Sequence, residues 1–466
     1  MKKSGFITGA IVSTFCLVIC KILGLIYVIP FYNIIGTQGG ALYSYAYSIY
    51  SVFLNLSTVG IPAAVAKIIS EYDSLNCKYL KEKAYKLASK LLNYFGVLSF
   101  LLMFLFADIL ANTIVGGVEG GNTVGEVAIA IRIVSTALLI VPKLSILKGY
   151  FQGNKFLTQS GISAIVEQFV RVVIIIIGSY VTVKVFKLSV SYAVYIAVFA
   201  ATIGALSSYL YLKIKSKKIS KESAIETETE KNMTTKDLLK KIIFYAIPFV
   251  VIALLQSAYS VIDTFTVVRT LTNLKYSITE AETTIGVMST WGAKLNMIVV
   301  SISIGITASL IPNVVGSYTQ GKFKDINEKI NLSFKMLLLV TTPMALGISF
   351  LAKPIWHVFY GTDVLGANIF RIHILQVIVY GLFTTITTIT QSMNQTKITI
   401  GSLIASFLIK ALLNVPMMYL FNIIGIPSYY APTITDGIAQ LVALLGVLIA
   451  LSKKYNFSYK TFCTMK

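Results

Sequence analysis

The sequence has 466 residues, 56% hydrophobic and 13% charged, a balance that excludes a soluble globular protein and leaves room for about a dozen spans of ~20 apolar residues. Its net charge of +21, from 40 Lys+Arg against 19 Asp+Glu, sits mostly in loops, where it sets topology and touches anionic lipid headgroups; nucleic acid is not an expected partner. Four cysteines (Cys16, Cys20, Cys77, Cys463) and two histidines (His357, His373) are too few and too scattered for a disulfide framework or a zinc site.

The first expected span covers 7 to 30. Met1-Lys2-Lys3 before an apolar run resembles a signal peptide, and Leu17-Val18-Ile19-Cys20 resembles a lipoprotein cleavage box. The box needs a small residue where Ile19 stands, and the apolar run continues past Lys21 to Pro30, so the segment is read as a span. Span 2, 40 to 66, carries Tyr43, Tyr45, Tyr47 and Tyr50, which suit an interfacial aromatic belt or, alternatively, stacking on sugar. Gly60 and Pro62 follow. Such interruptions are ordinary kinks in many spans, and here they are also the candidate hinge of an alternating-access cycle. Spans 3 and 4 cover 84 to 107 and 127 to 147. Span 5, 157 to 183, holds Glu167 and Arg171 four apart on one helix face, where they can form a structural ion pair or contact a substrate. Span 6 covers 190 to 212.

The stretch 213 to 241 is the one long polar segment and reads as a solvated cytoplasmic linker. Beyond it lies span 7, 242 to 268, with Asp263, which can cap a helix, pair with Arg269 or Lys21, or bind a coupling cation or proton. Spans 8 to 12 cover 284 to 311, 330 to 351, 368 to 394, 397 to 421 and 431 to 451, with a tail from 452 to 466. The domain expectation is therefore a six-helix lobe over 1–212, the linker, a second six-helix lobe over 242–451, and the tail. The halves also match in sequence. Gly60-Ile61-Pro62-Ala63-Ala64 pairs with Gly305-Ile306-Thr307-Ala308-Ser309, and Gln152-Gly153-Asn154-Lys155 with Asn394-Gln395-Thr396-Lys397, at nearly equal offsets. Because each half begins on the same side, the repeat is parallel. Gly305 thereby joins Gly60 and Pro62 as a hinge candidate.

With both termini cytoplasmic, the inside segments hold 28 Lys and Arg and the outside segments five, which favours that orientation. The remaining seven lie in spans: Lys21, Arg132, Lys143, Arg171, Lys294, Arg371 and Lys410. Each costs ~2.5–3.5 kcal/mol at mid-bilayer if it faces lipid. Arg132, Lys143 and Arg371 lie near span ends and can snorkel to the headgroups. Lys21, Lys294 and Lys410 lie deeper without an obvious acid beside them. Against the acids Glu167 and Asp263 the basic excess points to a hydrated cavity that favours an anionic headgroup, with Lys and Arg suited to phosphate. An amphiphile with a diphosphate linker, such as a polyprenyl-linked sugar, fits both the cavity and the surrounding lipid. One charge crossing the membrane potential is worth about 2.3 kcal/mol per 100 mV, so the potential, H+ or Na+ can drive the cycle. The sequence holds no phosphate-loop fingerprint and no credible catalytic set of His, Cys or paired carboxylates, so no enzyme activity and no cofactor is expected.

Lys21-Ile22-Leu23-Gly24, the run from Tyr45-Ala46-Tyr47-Ser48-Ile49-Tyr50 through Gly60-Ile61-Pro62-Ala63-Ala64-Val65-Ala66-Lys67 to Glu71-Tyr72, Gly149-Tyr150-Phe151-Gln152-Gly153 and Glu167-Gln168-Phe169-Val170-Arg171-Val172 together resemble a family. It is that of the polysaccharide and peptidoglycan precursor flippases, stage V sporulation protein B type, of the multidrug/oligosaccharidyl-lipid/polysaccharide exporter superfamily. The resemblance covers nearly the whole chain and is densest over 5 to 180. It implies two six-helix lobes around a central cavity, and Lys21 as a diphosphate contact, since basic residues of the first helix matter in related lipid II flippases. Two departures stand out: Tyr27-Val28-Ile29 occupies the place of a further arginine, and two C-terminal helices of many members are missing after residue 451.

The expectation is an all-α polytopic protein of the plasma membrane, about twelve transmembrane helices in two lobes, moving an undecaprenyl-diphosphate-linked saccharide or peptidoglycan precursor. Its partners are that lipid-linked substrate and membrane lipids, and a monomer is the expected state, with the oligomeric state left open. Substrate contacts are Lys21, Arg171, Lys294 and Lys410; ion coupling falls to Asp263 or Glu167. The rivals are a drug/cation antiporter of the same superfamily and a non-transporting scaffold for cell-wall synthesis.

Overall fold

Local chemistry starts several helices where connections end. The Thr123 hydroxyl accepts from the Glu126 N–H while the Glu126 carboxylate accepts from the Thr123 N–H, a reciprocal capping box. Ser277 and Glu280 repeat it, and Asp363 accepts from the Gly366 N–H at 3.0 Å. The computed structural model describes residues 6–58, 60–74, 77–117, 120–154, 156–217 and 234–459, and among the described residues no strand occurs.

The chain divides into two compact units, Met1–Gly117 with Asn122–Ser257, and Val118–Gly121 with Ala258–Lys466. The first contains α1 (Phe6–Ile26), α2 (Val28–Thr58), α3 (Gly60–Ser74), α4 (Lys78–Leu105), α5 (Ala107–Val115), α6 (Val124–Ser135), α7 (Val141–Gly153), α8 (Leu157–Tyr180) and α9 (Val190–Ser216). Helix α10 (Thr235–Asn273) begins within the stretch read from sequence as linker, and the division between units falls inside it, after Ser257. The second unit continues with α11 (Ile278–Gly286), α12 (Gly292–Thr319), α13 (Phe323–Phe350), α14 (Ala352–Tyr360), α15 (Val364–His373), α16 (Gln376–Ser392), α17 (Thr396–Ile423) and α18 (Ala431–Tyr455).

A repeat is visible in these elements. Helices α4 and α13 each have 28 residues, and each is followed, after a single residue, by a helix of nine. The joining residues, Phe106 (φ −89°, ψ 9°) and Leu351 (φ −91°, ψ 16°), have nearly the same backbone.

Eleven runs of the described residues are long and apolar enough to cross a membrane. Ahead of them α1, at 21 residues, is shorter than the first expected span: it ends at Ile26, and Pro30 belongs to the next helix, α2. Helix α4 shows how the runs are patterned. Leu80, Ala84, Ala88, Leu92, Gly96, Ser99 and Met103 recur every three or four residues on its buried face, while Leu98, Leu101, Leu102 and Leu105 are exposed as lipid-facing side chains. Ala84, Ala88, Gly96 and Ser99 on the buried face are small, as close helix packing within lipid favours.

Four glycines shape the path of the first unit. Gly36 (φ 63°, ψ −165°) interrupts α2 in a conformation open to glycine and strained for other residues. On α7, a Cβ at Gly149 would lie 2.8 Å from the Pro62 carbonyl oxygen, and one at Gly153 2.8 Å from that of Ala66, so α7 and α3 meet backbone to backbone. Pro62 lies in the first turn of α3, where its missing N–H costs no helical hydrogen bond. Gly60 is equally crowded, since a Cβ there would meet Val250 Cγ2 at 2.1 Å. Gly305 lies on α12 within 304–313, outside the described side chains.

Candidate functional site

In the first unit α2, α3, α7, α8 and α9 enclose a cavity of ≈ 420 Å³, within the range of small-ligand sites. Its polar wall comes from three helices. Tyr47 and Tyr50 lie on α2, Ser145, Lys148 and Gln152 on α7, and Glu167 and Arg171 on α8, each set spaced at three or four residues so that it shares one helix face.

Arg171 is held by aromatics. It donates to the Tyr47 hydroxyl and, at 3.3 Å, to that of Tyr43, and its guanidinium carbon lies 5.1 Å from the Tyr47 ring centroid. Tyr43 stacks on Tyr47 at 4.5 Å, and Tyr50 meets Tyr47 edge-on at 5.5 Å. The Arg171 Nε is buried without a hydrogen-bond partner. No carboxylate pairs with Arg171 among the described residues. Glu167, the acid four residues before it, accepts instead from Lys148 Nζ at 2.7 Å. Of the two readings the sequence leaves open for Glu167 and Arg171, the ion pair between them does not form: each side chain finds a tertiary partner on another helix. Two formal positive charges stand against one negative in this cavity.

The fourth expected span ends at 147 and so leaves Lys148 in the inside segment that follows it. The helix does not stop there. It runs to Gly153 and carries Lys148 and Gln152 onto the cavity face. Lys21, partly buried on α1, is outside the wall of this cavity.

The other expected contacts belong to the second unit. Lys294 is partly buried near the start of α12. Lys410, expected without an acid beside it, has two: its Nζ lies 2.8 Å from Asp263 Oδ1 and 2.8 Å from Asp436 Oδ1. It also donates to the Pro432 carbonyl at 3.0 Å. Asp436, a third acid within the spans, escaped the sequence count of two. Lys410 is wholly buried, its ammonium in contact with two carboxylates and one main-chain carbonyl. Asp263 accordingly pairs with Lys410, rather than with Arg269 or Lys21 as the sequence allowed.

Residues 6–317 match the family described as polysaccharide biosynthesis protein. The chain belongs to this family. Within the polysaccharide biosynthesis family it is 32% identical to the lipid II flippase MurJ of Bacillus subtilis (strain 168), over 98% of this chain and 84% of that protein. Residues 248–416 also match the MatE family. Among solved structures, an inward-facing multidrug resistance MATE family transporter of the MOP superfamily superposes with a TM-score of 0.75 at 12% identity, over 97% of this chain and 100% of that one. The lipid II flippase MurJ in an inward closed conformation superposes with a TM-score of 0.67 at 17% identity, over 95% and 87%. Both likenesses bear on the fold, which this chain shares with those two transporters.

Proposed function

We propose that this multi-pass plasma-membrane protein is a flippase, a transporter and not an enzyme, which moves a lipid-linked diphosphate saccharide or peptidoglycan precursor across the membrane by alternating access. The observation that carries the reading is Arg171: a guanidinium on a helix apolar enough to span the membrane, bound to two phenols and, among the described residues, to no carboxylate, beside a cavity large enough for a headgroup. A charge so placed is costly, and a phosphate oxygen is the partner that a planar guanidinium binds best. Lys148 adds a second donor once it turns from Glu167, and Tyr47 and Tyr50 offer rings to the sugar. The apolar tail stays among the lipid chains. Similarity to MurJ over nearly the whole chain supports the same class of cargo.

Lys21 and Lys294 remain proposed contacts at other stages of the cycle, with Gly60, Pro62 and Gly305 as its pivots. The membrane potential acts on the cationic cavity as the driving force. The match of residues 248–416 to the MatE family favours a second reading, a drug/cation antiporter. Reconstitution in proteoliposomes separates them. Movement of labelled lipid-linked saccharide that fails in Arg171→Ala supports the flippase, dye efflux without lipid movement supports the antiporter, and neither activity supports a scaffold.

A further inference from the structure

In the second unit, three oxygens converge on one point from two helices. Asp263 Oδ1 on α10 and Asp436 Oδ1 on α18 each lie 2.8 Å from Lys410 Nζ, and the Pro432 carbonyl, also on α18, accepts from it at 3.0 Å. Asn414 Nδ2 steadies Asp263 by donating to its Oδ1 at 3.1 Å and to Thr266 Oγ1 at 2.7 Å. Two carboxylates and a main-chain carbonyl are ligands of the kind that hard cations take. Here the position they surround is filled by an ammonium that reaches in from α17, with no exposed surface.

We infer that Asp263, Asp436 and the Pro432 carbonyl form a monovalent-cation site whose resident occupant is the Lys410 ammonium, so that Na+ does not bind there unless Lys410 is shortened. The physical basis is charge. With the ammonium 2.8 Å from both carboxylates, a second cation there would meet a positive charge at contact distance. With it removed, two buried carboxylates face each other uncompensated, and a small cation that enters restores the balance. The inference is independent of which headgroup the first unit carries. It bears on coupling, because it withdraws Asp263 from direct capture of Na+.

The test is thermal unfolding of the full-length protein in detergent, in NaCl or in choline chloride at equal ionic strength, for the wild type, Lys410→Ala and Asp436→Asn. The wild type is expected to unfold at the same midpoint in both salts. Lys410→Ala is expected to unfold earlier in choline and to regain part of the loss in NaCl alone, with the gain abolished when Asp263→Asn is added. Asp436→Asn keeps one ammonium with one carboxylate and is expected to ignore the choice of salt, which gives a reading even where Lys410→Ala does not fold. A Na+-specific rise in the wild type or in Asp436→Asn overturns the inference, as does a Lys410→Ala midpoint that is equal in the two salts.

Discussion

Arg171 and Tyr47 are joined twice, by a hydrogen bond from the guanidinium to the phenol and by the approach of the guanidinium carbon to 5.1 Å from the ring centroid. The phenol orients the cation without neutralising it, so Arg171 keeps its full charge for a ligand. Arg171→Ala is expected to lose one charge-assisted contact, worth about 1.5–3 kcal/mol or roughly 10- to 150-fold in headgroup affinity. Arg171→Lys keeps the charge but not the planar fork, and should fall between the two. Titration of a soluble polyprenyl-diphosphate analogue against the three proteins in detergent gives the order.

Glu167 competes with the ligand for Lys148, which it holds at 2.7 Å. Glu167→Gln should release that lysine and raise the formal charge of the cavity by one. The expected gain in diphosphate affinity is two- to fivefold, the value of a partly exposed pair at ~0.5–1 kcal/mol. The gain should vanish in the background of Lys148→Met, and a double-mutant cycle on the same titration measures it.

Close packing of α7 on α3 makes Gly149 intolerant of a side chain. Gly149→Val places atoms where a Cβ alone is 2.8 Å from the Pro62 carbonyl, and should destabilise by about 1–3 kcal/mol. Gly401 on α17 has open space around the same position, so Gly401→Ala should be neutral or stabilising by up to ~1 kcal/mol. Unfolding midpoints in detergent distinguish the two.

The buried charges of the second unit should rank by what each substitution leaves behind. Lys410→Met leaves two carboxylates without a cation and should cost about 3–5 kcal/mol in sodium-free buffer. Asp436→Asn leaves Lys410 its 2.8 Å contact with Asp263 and should cost less. Denaturation of the two variants side by side checks the order.

The spans and the repeat were readable in the sequence because lipid imposes them: an apolar run of span length has few alternatives, and motifs in step either side of a polar stretch indicate duplicated halves. The sites were less readable, for physical reasons that differ by residue. The i, i+4 spacing of Glu167 and Arg171 suggests a local pair, yet side chains on other helices lie closer to each. Lys148 was hidden because the apolar run ends one residue earlier while the helix continues six residues beyond. Tyr43, Tyr47 and Tyr50 do follow a helical period, a signal for one shared face that an interfacial belt does not require. Asp436 is a single acid between Thr435 and Gly437 in an otherwise uncharged span, and without it Lys410 looks solitary.

The most direct measurement is the flipping rate of a fluorescent lipid-linked diphosphate saccharide in proteoliposomes that contain either the wild type or Arg171→Ala at matched protein density. The account predicts transport by the wild type and a loss of at least tenfold in the variant, with the variant still folded by its unfolding midpoint. Equal rates for the two proteins would contradict the placement of the headgroup at Arg171.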